Sequence, residues 1–337
     1  MGELSFEPAD FIEIDAAPVP PGGQCFFQPA PDGARLRVAT FAAQEPRGTI
    51  VLLNGRCEII EKYFEVTQDL LSRGFNVATM DWRGQGLSSR MLAVSEKGHI
   101  KSFGTYLADL KLFLKKVVHK QFSGPYFALS HSMGGTPLLQ LLAEGYDGFH
   151  GAVLSSPMTR LFRTLPARHA VRLMANGAVT LGMGQKQVFG VPEYSMHFEN
   201  NNLTSDETRH TMFRQLLEAA PNAAVHAPTY GWLHAAIKAL DGLNAPGALA
   251  AIKIPVLIVS SGADTTVDGA NSVRLGTLYD QITTTEVDGA LHEVLMERDV
   301  YRDRFWQAFD AYVTERLAAG VSDPASAAAN DHSAIAS

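Results

Sequence analysis

Three residues in this chain have types and an order suited to nucleophilic acyl transfer: Ser132, Asp264 and His292. Ser132 lies in PYFALSHSMGGTPLLQLL, residues 125–142, between an apolar run ending at Leu129 and a helix-like stretch from Met133 to Leu142. A serine hydroxyl is a poor nucleophile at neutral pH. It needs a nearby base and donors that meet the developing negative charge, and a sharp strand-to-helix turn walled by small residues offers both. Of the usual G-x-S-x-G spacing this chain keeps Gly134 and has Ser130 at the first position, small enough for close approach. An acid follows in KIPVLIVSSGADTTV, residues 253–267, where a Val/Ile/Leu run ends in a turn carrying Asp264. A base follows in TTTEVDGALHEVLMERD, residues 283–299, which delivers His292. Asp268 and Asp288 are rivals for the acid, and Asp264 is preferred because it directly follows the strand and Gly262.

These residues must be positioned by strands that end beside one another. Apolar runs predict strands near 34–42, 48–54, 75–81, 125–131, 149–156, 254–261 and 282–288, with helices between most of them. Such alternation implies an α/β fold, a mostly parallel sheet covered on both faces, in which the serine, acid and histidine all leave strand C-terminal ends. From Ser156 to about Trp232 the alternation breaks, so residues 157–232 are expected to form a helical cap. The core is then 25–156 and 233–318, with an N-terminal extension over 1–24 and a disordered Ala/Ser/Asp-rich tail over 319–337.

Further segments appear in an order that resembles the α/β-hydrolase superfamily, and within it the bacterial lysophospholipase and monoacylglycerol lipase branch. VLLNGRCEIIEKY (51–63) is similar to the family's strand followed by H-G-x-x-E, with Asn54 in place of the histidine. DWRGQGLSS (81–89) resembles its D-x-R-G-x-G-x-S loop, and HIKSFGTYLADLKLFLKKV (99–117) its next helix, whose Phe103, Tyr106, Leu107, Leu110 and Leu114 form a core stripe. The resemblance covers roughly residues 25–318. It implies the α/β-hydrolase fold with a helical cap inserted after the sixth strand, and G-x-D places the acid at Asp264. It also implies backbone N–H groups of Arg56 and Met133 as the oxyanion hole, His131 as a residue shaping the elbow and turned from the nucleophile, and Glu293 as support for the histidine loop. The implied activity is a serine esterase releasing fatty acid from lysophospholipid or monoacylglycerol, without cofactor or metal. A peptidase, a general carboxylesterase or thioesterase, and a hydrolase-shaped binding protein without turnover are the alternatives on this fold.

Composition bounds the rest. With 337 residues, 46% of them apolar, the chain has ample material for a core. A formal charge of −7 argues against a nucleic-acid partner. Two cysteines, Cys25 and Cys57, and eleven scattered histidines predict neither a disulfide framework nor a metal cluster. The acidic start and the lack of a long apolar run predict a cytoplasmic protein. Within this acidic chain, residues 159–184 hold Arg160, Arg163, Arg168 and Arg172, interleaved with Leu, Phe, Val and Met and without any acidic residue. Two readings stay open: arginines that meet lipid phosphate at the inner face of an anionic membrane, or a cap helix with solvated arginines.

Overall fold

The structure, a computed structural model, describes residues 6–189 and 197–321. Its centre is β4, Gly48–Leu53, whose sequence GTIVLL is apolar on both faces. Ile50 and Leu52 pack into one buried cluster and Val51 and Leu53 into the other. A run whose successive side chains, alternating in direction, are buried on both faces is what a strand under helices on both sides requires.

Nine strands form one sheet in the order β1-β2-β3-β5-β4-β6-β7-β8-β9. They are β1 Glu7–Pro8, β2 Gly23–Pro29, β3 Arg35–Phe41, β4, β5 Phe75–Met80, β6 Tyr126–His131, β7 Gly151–Ser155, β8 Val256–Ser261 and β9 Ile282–Val287. The pairs from β1 to β3, and β3 with β5, are antiparallel; all pairs from β5 to β9 are parallel. One face is covered by α1 (Phe64–Ser72) and the long C-terminal helix α9 (Asp299–Val321). The other is covered by α2 (Phe103–Phe113), α4 (Gly135–Ala143), α7 (Tyr230–Leu243) and α8 (Gly269–Leu278). A short α3 (His119–Gln121) follows α2 after a widened turn over Leu114–Val118.

The seven expected strands are all present. β1 and β2 were not foreseen, because their sequences, Glu-Pro and GQCFFQP, carry few apolar residues and lack the strand-helix alternation of the core. They make the supposed N-terminal extension part of the sheet: Glu7 pairs with Phe27 and Gly23 with Phe41. The helical insertion follows β7, the sixth strand if the two-residue β1 is set aside. It carries α5 (Leu165–Thr180) and α6 (Glu207–Ala219). The 232/233 boundary falls inside α7, since one continuous amphipathic helix begins beside α5 and ends on the sheet. α9 runs past 319 to Val321, and residues 322–337 of the expected tail lie outside the described residues.

α5 buries little of its apolar surface. Its only buried residues are Ala175 and Ala178, small enough to let it approach Leu233 of α7. Leu165, Leu173 and Leu181 are instead 59%, 72% and 75% exposed.

Candidate active site

Strand register assembles the site. β4 and β6 run parallel with Leu53 opposite Ser130, so residues 54–56 leave the sheet beside 131–133. This is where the chain order reverses around β4, the place where parallel sheets open a crevice at their carboxyl ends. Ser132 follows β6 directly with φ +47°, a left-handed conformation that costs a non-glycine residue about 1–3 kcal/mol. The neighbouring glycines make that turn possible. A Cβ at Gly134 would sit 2.5 Å from the Leu53 carbonyl oxygen, and one at Gly135 would sit 2.7 Å from Pro157 Cβ.

The three residues singled out from sequence come together although 160 positions separate Ser132 from His292. His292 Nε2 lies 2.9 Å from Ser132 Oγ, and His292 Nδ1 lies 2.7 Å from Asp264 Oδ2. The other oxygen of Asp264 accepts N–H bonds from Thr266 at 2.7 Å and Val267 at 3.2 Å. Burial alone would raise the Asp264 carboxyl, but the hydrogen bond and charge of His292, with these two N–H donors, outweigh it and hold the group below its usual range. Asp264 therefore stays ionised at neutral pH. Its contribution to stability is complete above the ordinary carboxylate value near 4 and is lost as pH falls through the lowered one. The rival acids are elsewhere: Asp268 faces Arg160 at 3.6 Å, and Asp288 is exposed.

Arg56 and Met133 flank this array. Of three successive N–H groups after β4, that of Gly55 is taken by Glu58 Oε2 and that of Cys57 by Gln85 Oε1 at 2.6 Å. Among the described residues no acceptor takes the Arg56 or the Met133 N–H. Cys57 holds φ +62°, and its bond to Gln85 fixes that strained turn. The same Gln85 places Nε2 3.4 Å from Met133 Sδ, so one side chain touches both loops. Gln85 was not foreseen; the only signal was its place within the glycine-flanked loop.

A buried ionic group under His292 was also not foreseen as a unit. Lys62 Nζ lies 2.8 Å from Glu58 Oε1 and 2.6 Å from Glu293 Oε1, and Tyr63 donates to Glu58 Oε2 at 2.7 Å. All four side chains are buried. His131, expected to turn from the nucleophile and shape the elbow, places its ring 4.9 Å from that of His292, and burial pushes it down to about 3, so it is neutral. Burial would raise Glu58, but Lys62, His131 and the Tyr63 hydrogen bond overcome this and lower it; Glu293 is raised, by burial first, with Glu58 adding to it. Potential metal-ligand atoms of Glu58, His131 and Glu293 lie within 4.8 Å of one another, and the Lys62 ammonium is the cation bonded to both carboxylates. Lys62→Met should therefore destabilise the fold by about 3–5 kcal/mol at pH 7, since it leaves buried carboxylates without their cation. Their native pKa values would rise above the unfolded ones, so stability would fall as pH rises through that window and the deficit should narrow near pH 4. Urea unfolding at both pH values checks this; a pH-independent deficit would mean that lost packing is the cause.

Above these residues opens a cavity of ≈ 1020 Å³ lined by Ser132, Met133, Arg56 and His292 together with apolar side chains that include Met158, Val171, Met174 and Phe213. None of the four cap arginines lines it. Arg163 donates to the Asp264 carbonyl, and Arg172 pairs with Asp241 at 2.5 Å. Arg160, Arg168 and Arg172 line a separate groove of ≈ 230 Å³ between α5 and α7.

The parallel sheet, the strained serine turn after β6 and the loop order around it define an α/β-hydrolase. Residues 44–299 match the family described as serine aminopeptidase, S33, and the chain belongs to that family. It is 32% identical over 259 residues to the probable lysophospholipase L2 of Haemophilus influenzae, covering 76% of this chain and 80% of that one. It is 28% identical over 287 residues to lysophospholipase L2 of Escherichia coli, covering 80% and 82%. Its fold is similar to that of a soluble variant of monoglyceride lipase from Saccharomyces cerevisiae, with a TM-score of 0.71 at 19% identity over 87% of this chain and 96% of that one.

Proposed function

We propose that this enzyme releases a fatty acid from lysophospholipid or monoacylglycerol through an acyl-enzyme on Ser132. The observation that carries this reading is the large, mainly apolar cavity that Ser132 and His292 line. His292 Nε2 takes the hydroxyl proton as Ser132 Oγ attacks the ester carbonyl carbon, and the N–H groups of Arg56 and Met133 hold the oxyanion. The imidazolium returns the proton to the leaving alcohol. Water, deprotonated by the same nitrogen, then frees the acid, while Asp264 keeps the proton of His292 on Nδ1 and remains ionised. The relatives named lysophospholipase support the substrate class. An aminopeptidase site would need a free carboxylate for the substrate ammonium. Among the described residues the carboxylates that line this cavity, Glu58 and Glu293, are both held by Lys62. Rates on lysophosphatidylcholine, monoacylglycerol, short nitrophenyl esters and aminoacyl amides test the assignment: the single-chain lipids should be preferred, and a preference for the amides would overturn it.

In this reading residues 157–232 act as a cap whose exposed leucines touch the lipid surface, and the enzyme works peripherally at an anionic membrane. Among the described residues no helix is long and apolar enough to cross a membrane. The support is the exposure of Leu173, Leu181 and Phe189, the last 93% exposed. Leu173→Ser with Leu181→Ser should lower activity on anionic vesicles at least about tenfold, since each leucine loses roughly 1.5–3 kcal/mol of burial in lipid. Hydrolysis of a soluble butyrate ester should be unchanged, and parallel loss on both substrates would assign these leucines to folding.

A further inference from the structure

The groove between α5 and α7 is lined by cations and apolar side chains together: Arg160, Arg168 and Arg172 with Leu161, Ile237 and Leu240. Two of the three cations are already engaged. Arg172 has Asp241 at 2.5 Å, and Arg160 has Asp268 and Asn244 Oδ1 at the longer distances of 3.6 and 3.4 Å. The half-buried Arg168 has no acidic or hydrogen-bonding partner for its guanidinium among the described residues. Burial, then the positive charges of Arg168 and Arg274, weaken the hold of Arg160 on its proton, as expected where like charges converge without enough counter-charge. Arg274 itself is turned to Asn244 at 2.6 Å, so it adds positive potential from the far side.

This groove shares a wall with the reaction cavity. Leu161 and Phe162 line both spaces. Phe162 has φ +59°, the left-handed region that a bulky residue enters only when its surroundings force it. The acid loop supplies that force: Asp268 N–H donates to the Arg160 carbonyl at 3.0 Å, and Arg163 donates to the Asp264 carbonyl. An acyl chain in the reaction cavity is therefore one strained two-residue wall away from a basic, apolar slot.

We propose that this groove is a second binding site for a long-chain fatty acid anion, its carboxylate on Arg168 and Arg160 and its chain along Leu161, Ile237 and Leu240. The inference rests on the reading that the enzyme produces a fatty acid. Ester cleavage creates the feature that the groove recognises: a monoacylglycerol has no charge at the end of its chain, whereas the acid carries a carboxylate that a guanidinium binds bidentately. The groove is about a quarter the volume of the reaction cavity, at ≈ 230 against ≈ 1020 Å³. That is room for a carboxylate and the adjoining stretch of one chain.

The test separates this site from the reaction cavity. Enzyme phosphonylated on Ser132 by a long-alkyl fluorophosphonate has its reaction cavity filled, and laurate binding is then measured by calorimetry below the micelle concentration. One equivalent should bind. Arg168→Gln should weaken it at least tenfold, about 1.4 kcal/mol. Leu165→Glu, a change at a residue already 59% exposed and therefore compatible with folding, should do the same by placing a like charge on the rim. Dodecanol should not compete. No binding to the phosphonylated enzyme, or unchanged affinity in both variants, would overturn the proposal; tighter binding of dodecyl phosphate than of laurate would assign the groove to a lipid headgroup and also overturn it. Phosphonylation is read separately by mass. A failure to label would count against serine chemistry, and two laurates per Ser132→Ala chain, falling to one in the added arginine or glutamate variant, would still report on the groove.

Discussion

Ser132→Ala is expected to abolish ester hydrolysis and fluorophosphonate labelling while leaving the fold intact. The hydroxyl is the atom within 2.9 Å of His292 Nε2, and nothing else in the array can form the acyl-enzyme. Removal of a serine nucleophile that acts as one unit with its base costs on the order of 10⁶-fold in turnover. Stability should change little. Alanine keeps the backbone at φ +47° with the same strain, and the close approaches that shape the turn at Gly134 and Gly135 are to Leu53, Asn54 and Pro157 and stay as they are. Intact-mass labelling with a thermal melt decides the matter: a Ser132→Ala chain that still took up the probe would place the nucleophile elsewhere.

The site was legible in the sequence to the extent that chain order encodes it. Ser132 and Asp264 each follow an apolar strand and His292 follows a strand rich in β-branched residues, ITTTEV, and in a parallel sheet successive strands deliver their C-terminal residues to one edge. What joins residues across long separations left no local trace. Lys62 and Glu293 are 231 positions apart, and nothing near either reports that one ammonium satisfies two carboxylates. Gln85 is similar: its tie to Cys57 depends on where two loops meet, not on their composition. Strand β2 escaped because its apolar residues are few and turn residues precede it, so its pairing with β1 and β3 defines it.

The cap shows a different limit. A segment with arginines every few residues and no acid has a charge pattern but no fixed period across Pro166 and Gly177, so sequence does not tell which cations face solvent. The structure turns Arg160, Arg168 and Arg172 toward a groove and leaves leucines outside. This division shifts the expected lipid contact from electrostatic to apolar. Salt should then affect vesicle activity less than loss of Leu173 and Leu181, because apolar burial is not screened.

Asp264→Asn is expected to lower turnover by about 10⁴-fold without displacing His292. The geometry gives the reason. Asp264 accepts at both oxygens: Oδ1 takes the Thr266 and Val267 N–H groups, and Oδ2 faces His292 Nδ1 at 2.7 Å. An asparagine has one acceptor oxygen. Two backbone donors compete for it against one imidazole, so the amide oxygen should take the Oδ1 place and its NH₂ should face Nδ1. Nδ1 must then accept, the imidazole proton moves to Nε2, and the nitrogen that should deprotonate Ser132 already carries a proton. Asp268→Asn makes the same chemical change a few residues away, where the carboxylate faces only a partly exposed Arg160 at 3.6 Å, and it should alter turnover by no more than a few-fold. Comparing kcat for the two variants on one soluble ester, beside ¹⁵N shifts that report the His292 tautomer, separates a tautomer fault from general damage to the loop. Similar losses at both positions with His292 still protonated on Nδ1 would show that the loop, rather than the Asp264 carboxylate, is what catalysis requires.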